Sequence, residues 1–190
     1  MARYDKEHKQ ATRQRILDTA GRRFKTDGID GSGVATLMAD AGLTNGAFYA
    51  HFSSKDDLVA NVVADQLGAQ AQGFSELAPG RAGLEGFLRE YLSPQHRDNP
   101  GDGCPAAALL DEIGRCPAET KDAYTEGARV ILDEIAVRLA PRDPQSVYGK
   151  ALALYTMAVG TLQLSRALSD PKFADEVLEH GIQNALVFLR

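Results

Sequence analysis

The chain has 190 residues, of which 44% are apolar and 25% charged, with 21 basic against 26 acidic side chains and a net charge of −5. This length suits one or two domains that bury a core. The longest apolar run, residues 151–162, is too short to cross a bilayer, which argues against a membrane protein. Two cysteines are too few for a disulfide framework, and the first ten residues are charged rather than apolar. We therefore expect a cytoplasmic protein without a membrane partner.

Charge is distributed unevenly along the chain. Residues 1–25 hold eight Lys or Arg and three acidic residues, whereas residues 61–190 hold 12 basic and 18 acidic residues. A basic end on an acidic body would turn that end toward phosphate groups and keep the rest of the molecule away from them. A solvated basic helix with no partner explains the same charges equally well, so the charge pattern alone does not decide between these two interpretations.

In chain order, the first predicted element is a helix over residues 9–25, with Gly28 as its stop. Two short helices follow, at residues 34–41 and 45–51, joined by a turn at Gly42. Helices this short cannot bury a core of their own, so a scaffold must hold the second one outward. A helix held outward in this way can place its side chains in a DNA groove. The pattern of two short helices joined by a glycine turn therefore predicts a helix-turn-helix.

Polar residues before the short helices are in position to cap them. Ser32 is the predicted N-cap of the first, and Thr44 of the second. Ser54, followed three residues later by Asp57, resembles a capping box and begins a fourth helix that reaches about residue 74. Pro79-Gly80 then indicates a break between domains. The predicted domains are a helix-turn-helix domain at residues 1–70, with its motif at about 33–52, and a ligand-binding and dimerisation domain at residues 80–190.

The second domain is also predicted to be helical. An apolar stripe over residues 84–92 has helical spacing, whereas residues 94–103 are predicted to form a polar loop. A proline stands where each of three further helices begins, at Pro105, Pro117 and Pro171. Residues 147–164 are apolar nearly all round and predict a helix that is covered on more than one side. The predicted fold class is thus all-α, with about nine helices.

One run of the chain resembles the most characteristic segment of the TetR family of transcriptional regulators. It consists of Ala41-Gly42-Leu43-Thr44, Gly46-Ala47-Phe48-Tyr49, His51-Phe52 and Ser54-Lys55. The resemblance covers about residues 10–70. It implies a homodimeric repressor that binds a palindromic operator in double-stranded DNA. It also implies that an unknown small-molecule inducer, bound in the C-terminal domain, lowers the affinity for DNA.

The resemblance assigns roles to seven residues. Base edges would be contacted by Asn45, Gly46 and Ala47, and the DNA backbone by Thr44, Tyr49, His51 and Lys55. The side chains suit these roles, because an Asn pairs with adenine, an Ala methyl meets a thymine methyl, and Tyr, His and Lys bind phosphate oxygens. Structural roles remain open for two of them: Tyr49 as a packed aromatic residue, and His51 as a partly buried, hydrogen-bonded histidine.

The predicted sensor residues are apolar or aromatic side chains of the second domain, together with one thiol. They are Phe87, Tyr91, Cys104, Leu110, Tyr124, Tyr155 and Val159. Ordinary core packing explains the apolar stripes equally well. Cys104 precedes a helix that begins at Pro105, where free N–H groups favour a thiolate. The resemblance implies that such a cysteine senses oxidants or electrophiles in some members of the family, whereas a small, inert, buried residue is the alternative.

The last two predicted helices carry more apolar surface than one chain usually needs, which favours a two-fold interface between protomers. The residues assigned to it are Leu152, Leu162, Val177, Leu178, Ile182, Ala185 and Leu186. Packing against other helices of the same chain is the alternative.

No arrangement of residues indicates an enzyme. The four histidines are scattered without metal-ligand spacing. The adjacent pairs Asp111-Glu112 and Asp133-Glu134 do not share a helix face, so they are predicted to face solvent. No metal or cofactor is therefore expected. The alternative function is a helical small-molecule-binding or enzymatic protein that has kept the N-terminal fold without specific DNA binding.

Overall fold

A computed structural model describes the backbone of residues 2–189 and the side-chain environments of residues 7–189. All regular structure in the described backbone is helical, which confirms the all-α prediction. The α-helices are α1 (Ala2–Asp27), α2 (Val34–Asp40), α3 (Lys55–Glu76), α4 (Arg81–Tyr91), α5 (Pro94–Asp98), α6 (Pro105–Ile113), α7 (Ala118–Leu139), α8 (Tyr148–Arg166) and α9 (Pro171–Phe188). Three 3-10 helices lie at Asn45–Ala50, Pro100–Asp102 and Pro144–Val147. Within this part of the chain, no helix has both the length and the apolarity of a membrane span.

The second helix of the predicted helix-turn-helix is a 3-10 helix, Asn45–Ala50, which is called the 45–50 helix below. Its backbone bonds span three residues, as in Ala47 N–H to Thr44 O at 3.0 Å and His51 N–H to Phe48 O at 2.9 Å. Six residues are too few to stabilise an α-helix by themselves, because nucleation is costly. The tighter 3-10 form is common in such short pieces, and contacts with the rest of the domain must hold it.

Two of the predicted helix caps differ from the structure. Gly33, not Ser32, occupies the N-cap position of α2, and the Ser32 hydroxyl instead donates to Gly28 O at 3.1 Å. Thr44 stands at the N-cap of the 45–50 helix, but its side chain makes no capping bond. Both segments are short enough that surrounding contacts, rather than caps, fix where they begin.

The capping box at the start of α3 is displaced by one residue. The Ser54 hydroxyl accepts from Asp57 N–H at 3.0 Å, as predicted. The Asp57 carboxylate, however, accepts from the backbone N–H of Ser53 at 2.7 Å and not from Ser54. That backbone bond, the first among several causes, lowers the pKa of Asp57. These bonds thus connect Ser53, the residue after Phe52, to the first turn of α3.

The predicted loop at residues 94–103 is instead mostly helical. Pro94 begins α5, and the Ser93 hydroxyl caps it by accepting from His96 N–H at 3.2 Å. A single 3-10 turn, Pro100–Asp102, follows. The sequence pattern did not indicate these elements because helices of five and three residues leave no apolar periodicity to read.

Helix α3 connects the two halves of the molecule. It packs against α1 in the first half and against α7 in the second. Leu67, fully buried on α3, lies against Gly127 on α7, where the missing side chain lets the helices approach closely. The buried side chains of both halves form one continuous core. The predicted domain boundary at Pro79-Gly80 therefore comes just after α3, a helix that packs against both halves of the molecule.

Helices α8 and α9 pack against each other. Four residues predicted for a dimer interface are consequently buried in the chain's own core, namely Leu162, Leu178, Ile182 and Ala185. Leu152 is exposed, and Val177 and Leu186 are half-buried. The apolar side chains that these two helices and their ends leave exposed are Leu152, Leu164, Phe173, Val187 and Phe188.

Candidate functional site

A tight glycine turn separates α2 from the 45–50 helix. Gly42 has a φ of +67°, a backbone conformation that favours glycine. Its N–H donates to Ala39 O at 2.9 Å, and the N–H of Leu43 donates to Met38 O at 2.8 Å. This pair of bonds ends α2 in a Schellman motif and sets the angle at which the chain leaves the helix.

Two phenylalanines fix the 45–50 helix to the body of the domain. Phe48 and Phe52 are buried, with their ring centroids 5.8 Å apart. The guanidinium of Arg13, on α1, lies 4.9 Å from the centroid of the Phe52 ring, a cation–π contact. The same Arg13 donates to Asn61 Oδ1 on α3 at 2.7 Å. Helices α1 and α3 thus contact the buried face of this segment and hold it in place.

The opposite face of the segment is open. Thr44, Asn45 and Gly46 are exposed, Ala47 is half-buried, and Tyr49 is 73% exposed. Tyr49 is therefore not a core aromatic residue, although the edge of its ring contacts Phe48 at a centroid distance of 5.2 Å. A Cβ added to Gly46 would meet no atom within 4 Å, so nothing in this chain requires a glycine there. The structure brings these predicted residues together on one surface.

His51 and Lys55 lie at the edge of that surface and are half-buried. Burial lowers the pKa of His51, and the neighbouring charges of Lys9 and Arg13 lower it further. The histidine is consequently neutral near pH 7, and its buried Nδ1 has no hydrogen-bond partner in the described part of the chain. Lys9 and Arg13 were not predicted as site residues. Their four-residue spacing puts them on one face of α1, but only the fold shows that this face adjoins His51.

The second half of the molecule contains two adjoining cavities. A wide, open chamber of about 830 Å³ has polar and charged walls. A narrow cleft of about 20 Å³ has mainly apolar walls. Gln70, Phe74, Phe87 and Tyr91 line both. The cleft and the chamber therefore share one wall.

Four of the predicted sensor residues line these cavities, and three do not. Phe87, Tyr91, Cys104 and Tyr155 are lining residues. Leu110 is instead exposed on α6, Val159 is buried in the core, and Tyr124 is half-buried beside Tyr155 without lining either cavity. Helical spacing identified the elements but not which turn of each helix faces the open space. Polar lining residues such as Lys25 and Gln70 were missed, because their partners are distant in sequence.

Cys104 lies on the wall of the chamber, and it is 6% exposed. Its Sγ lies 3.5 Å from both polar atoms of the Gln70 amide. Its backbone N–H donates to His96 Nε2 at 3.0 Å, so His96 Nδ1 is the donor to Tyr91 O at 2.7 Å. Burial lowers the pKa of His96, which favours this neutral form.

Two bonds join the chamber wall to the C-terminal part of α1, and a third joins α6 to the loop after α1. Lys25 Nζ donates to Gly103 O at 2.8 Å, next to Cys104, and burial lowers the pKa of this ammonium group. Arg22 pairs with Asp102 at 3.3 Å on the surface. Glu112, which was predicted to face solvent, accepts instead from the backbone N–H of Ile29 at 2.8 Å. This carboxylate connects α6 to the loop between α1 and α2.

The amino-terminal part of the chain matches known regulators. Residues 16–62 match the family model described as bacterial regulatory proteins, tetR family. The transcriptional regulator AcrR of Shigella flexneri is 42% identical over 62 residues, which is 33% of this chain and 29% of AcrR. The repressor AcnR of Corynebacterium diphtheriae is 27% identical over 127 residues, 67% of this chain and 63% of AcnR. The matches thus span less than two thirds of these relatives' own lengths.

Solved structures extend the likeness to nearly the whole chain. The reduced form of Escherichia coli NemR superposes with a TM-score of 0.78 at 20% identity, covering 92% of this chain and 95% of NemR. Bacillus subtilis FadR, solved with stearoyl-CoA, gives a TM-score of 0.63 at 16% identity, covering 89% of this chain and 97% of FadR. At these identities the likeness establishes the fold.

The two glycines of the exposed motif should respond oppositely to alanine. Gly42→Ala forces a side chain into a left-handed backbone conformation and should lower the free energy of unfolding by about 1 kcal/mol or more. Gly46→Ala, in open space, should leave it unchanged or raise it slightly. Urea denaturation followed by circular dichroism measures both. Equal destabilisation of the two variants would contradict this description of the turn.

Proposed function

Because the chain belongs to the TetR family of bacterial regulatory proteins, we propose that it is a sequence-specific DNA-binding transcriptional regulator. In finer detail, we propose a homodimeric repressor that a small molecule releases from a palindromic operator. The observation that carries the proposal is the outward face of the 45–50 helix. Buried Phe48 and Phe52 hold it in place, and Lys9 and Arg13 of the basic helix α1 lie beside it.

The exposed face has the chemistry of a major-groove contact. Asn45 offers an amide that can bond an adenine edge in two places, and the Ala47 methyl suits a thymine methyl. Gly46 would allow close approach of the backbone to the bases, since its Cβ position points into open space. Thr44, Tyr49, His51 and Lys55 would bind the phosphate backbone.

The exposed apolar side chains of α8 and α9 support a two-fold contact between protomers. Leu152, Leu164 and Phe173 are each about half exposed. Two helices from each of two chains can bury such side chains in a four-helix interface. The proposed interface is therefore this exposed face, together with the half-buried Val177 and Leu186, and not the core side of the same helices.

The bonds between the cavity wall and α1 support release by a ligand. A molecule that displaces Gly103 or Cys104 also acts on Lys25, which is bonded to Gly103 O. Displacement of α6 acts on Ile29 through Glu112. Such displacements would give α1 one arrangement with the ligand bound and another without it. If these two arrangements differ in their affinity for the ligand and in their affinity for DNA, the two affinities are coupled.

An electrophile or oxidant that modifies Cys104 is one candidate inducer. The observation that favours it is the position of the thiol, at the start of α6 and on the wall of the open chamber. The structural neighbour NemR was solved in a reduced form. A covalent adduct at Cys104 needs space that the buried thiol lacks, so it would displace the neighbouring Gly103 and the Lys25 bond.

The alternative function, a helical binding protein or enzyme without specific DNA contacts, predicts different behaviour toward DNA sequence. A repressor that neutralises phosphates and contacts bases loses affinity steeply as salt rises and prefers one sequence. The alternative predicts weak binding to all DNA alike, without a preferred sequence. Binding to duplexes from the promoter next to its own gene separates the two.

Two substitutions should affect DNA binding in distinguishable ways. Asn45→Ala should relax the preference at one base pair, at a cost of about 1–3 kcal/mol there, because a base contact is lost. Lys55→Ala should weaken binding to all sequences alike and reduce the salt slope by about 1, because a phosphate contact is lost. Fluorescence anisotropy with operator and mismatched duplexes at several salt concentrations measures both. Lys121→Ala, at an exposed residue of α7, is the control, and effects equal to those of the control would refute the proposed surface.

Alkylation of Cys104 should release DNA. Iodoacetamide forms an S–C bond to the thiol sulfur with loss of iodide and the thiol proton, and operator affinity should then fall by about tenfold, the size of a typical allosteric coupling. Cys104→Ser should bind operator normally and ignore the reagent, whereas Cys116→Ser should respond like the native chain. Release of the Cys104→Ser variant by the reagent would rule out this thiol as the sensor.

The carboxylate of Glu112 should transmit the effect of that adduct. Glu112→Ala leaves the Ile29 N–H without its partner, so the cavity can change without moving the loop after α1. We expect near-native operator affinity before alkylation and little loss after it. The alkylated Arg115→Ala variant, altered at an exposed residue on the same side of the molecule, should lose affinity like the native chain. Full release of the alkylated Glu112→Ala variant would show that the coupling takes another route.

A further inference from the structure

The wall of the chamber carries an amine and a thiol close together. Lys25 and Cys104 both line it, and the described lining residues include no other lysine and no other cysteine. Lys25 Nζ donates to Gly103 O at 2.8 Å, and this carbonyl directly precedes Cys104 in the chain. By covalent geometry a cysteine Sγ lies at most about 5.6 Å from the preceding carbonyl oxygen, so Nζ and Sγ are at most about 8.4 Å apart. The chamber thus presents two different nucleophiles to one small molecule.

The state of the amine depends on the state of the thiol. Burial lowers the pKa of Lys25, and among the charged neighbours Cys104 has the largest effect on it, in the opposite direction. The effect of Cys104 requires a thiolate, because only the charged form of the thiol attracts an ammonium group. When the sulfur becomes a thioether this attraction disappears, whereas the effect of burial remains. Alkylation of Cys104 therefore favours the neutral, nucleophilic form of Lys25.

The other cysteine of the chain stands in different surroundings. Cys116 lies outside both cavities. Burial raises the pKa of its thiol, and the neighbouring carboxylates of Asp56 and Glu112 raise it further. A thiol with a raised pKa is a poor nucleophile at neutral pH, because the thiolate is the reactive form. Cys116 is consequently a natural control for the thiol in the chamber.

One class of small molecule reacts with a thiol and an amine at the same time. A thiol adds to a carbon–carbon double bond that is conjugated to a carbonyl group, whereas a lysine amine condenses with an aldehyde. An α,β-unsaturated aldehyde carries both reactive carbons within three adjacent atoms. After both reactions the chain from sulfur to nitrogen spans about 5 Å, and the flexible lysine stem covers the remaining distance.

We infer that Cys104 and Lys25 form a two-point covalent site for α,β-unsaturated aldehydes. The inference rests on the proposed function of Cys104 as a sensor, and it names the class of electrophile. In the first step the thiol sulfur bonds to the β-carbon of the aldehyde, and the thiol proton ends on the α-carbon. In the second step the ammonium group of Lys25 loses a proton to solvent and its nitrogen attacks the aldehyde carbon. The two remaining N–H protons leave with the carbonyl oxygen as water, which gives an imine.

The imine would replace a hydrogen bond of α1 with a covalent one. A neutral imine nitrogen has no N–H, so Lys25 would no longer donate to Gly103 O. The C-terminal part of α1 would instead be joined through the aldehyde carbons to Cys104, at the start of α6. A simple alkylating agent leaves the amine free and forms no such link.

The test compares acrolein with acrylamide on the full chain without DNA. Both probes carry the same activated double bond, but an amide carbonyl does not condense with an amine. Each probe is added until one molecule is bound per chain, and sodium borohydride then reduces the imine to a stable amine before denaturation. Mass spectrometry of the acrolein product should show the peptide with Cys104 joined to the peptide with Lys25, lighter by one water than the simple reduced adduct. Acrylamide should give only its simple adduct at Cys104.

Variants identify the two nucleophiles. Lys25→Arg keeps a positive charge and a donor to Gly103 O but cannot form this imine, so its acrolein product should carry the adduct at Cys104 without the loss of water. Lys121→Arg, at an exposed residue of α7, and Cys116→Ser should be cross-linked like the native chain. Cys104→Ser should give no cross-link.

Two results would overturn the inference. One is a native chain that holds acrolein at Cys104 with no loss of water, and the other is a loss of water that persists in the Lys25→Arg variant. Both would leave the proposed DNA binding and the alkylation of Cys104 untouched. A Cys104 that neither probe alkylates would overturn the proposed thiol sensor together with the two-point site.

Discussion

The surface proposed to bind DNA depends on the burial of two aromatic rings. The 45–50 helix is a single 3-10 segment that has no cap from its own side chains, and it is too short to hold its shape in isolation. Phe48 and Phe52 anchor it in a core that α1 and α3 complete. That anchoring leaves Asn45 and Tyr49 exposed and ordered at once. Without it, the segment would lose conformational entropy on binding, and its affinity for any partner would fall.

The same helix that supports this segment also reaches the cavities. Arg13 of α1 covers the Phe52 ring, and Lys25, twelve residues later on the same helix, is bonded to the loop before Cys104. At about 1.5 Å per residue the two side chains are about 18 Å apart along one helix. Helix α1 is thus a rigid element with one part beside the 45–50 helix and its C-terminal part beside the chamber. It provides a physical route by which ligand binding and DNA binding can be coupled. Glu112, bonded to Ile29 just beyond the end of α1, provides a second connection to the same place.

The sequence predicted those features that depend on local patterns. Apolar spacing and prolines gave the long helices, and the run around Gly42 gave the turn and the exposed face from Thr44 to Tyr49. Features that depend on distant partners were not predicted. Lys25 is bonded to Gly103 O, 78 positions away, and Glu112 to the backbone of Ile29, 83 positions away. Leu178 and Ile182, which were assigned to an interface, are buried within the chain, because an apolar stripe does not reveal whether the same chain or a second one covers it.

Hydrogen exchange of the full chain with and without an operator duplex, read by mass spectrometry, tests the central claim most directly. The backbone amides of the 45–50 helix lie in a short, exposed element and should exchange quickly in the free protein. If this helix enters the groove, they should become protected on the specific duplex, and less so on a scrambled duplex of equal length. Unchanged exchange at residues 44–51, with protection confined to other segments, would contradict the account.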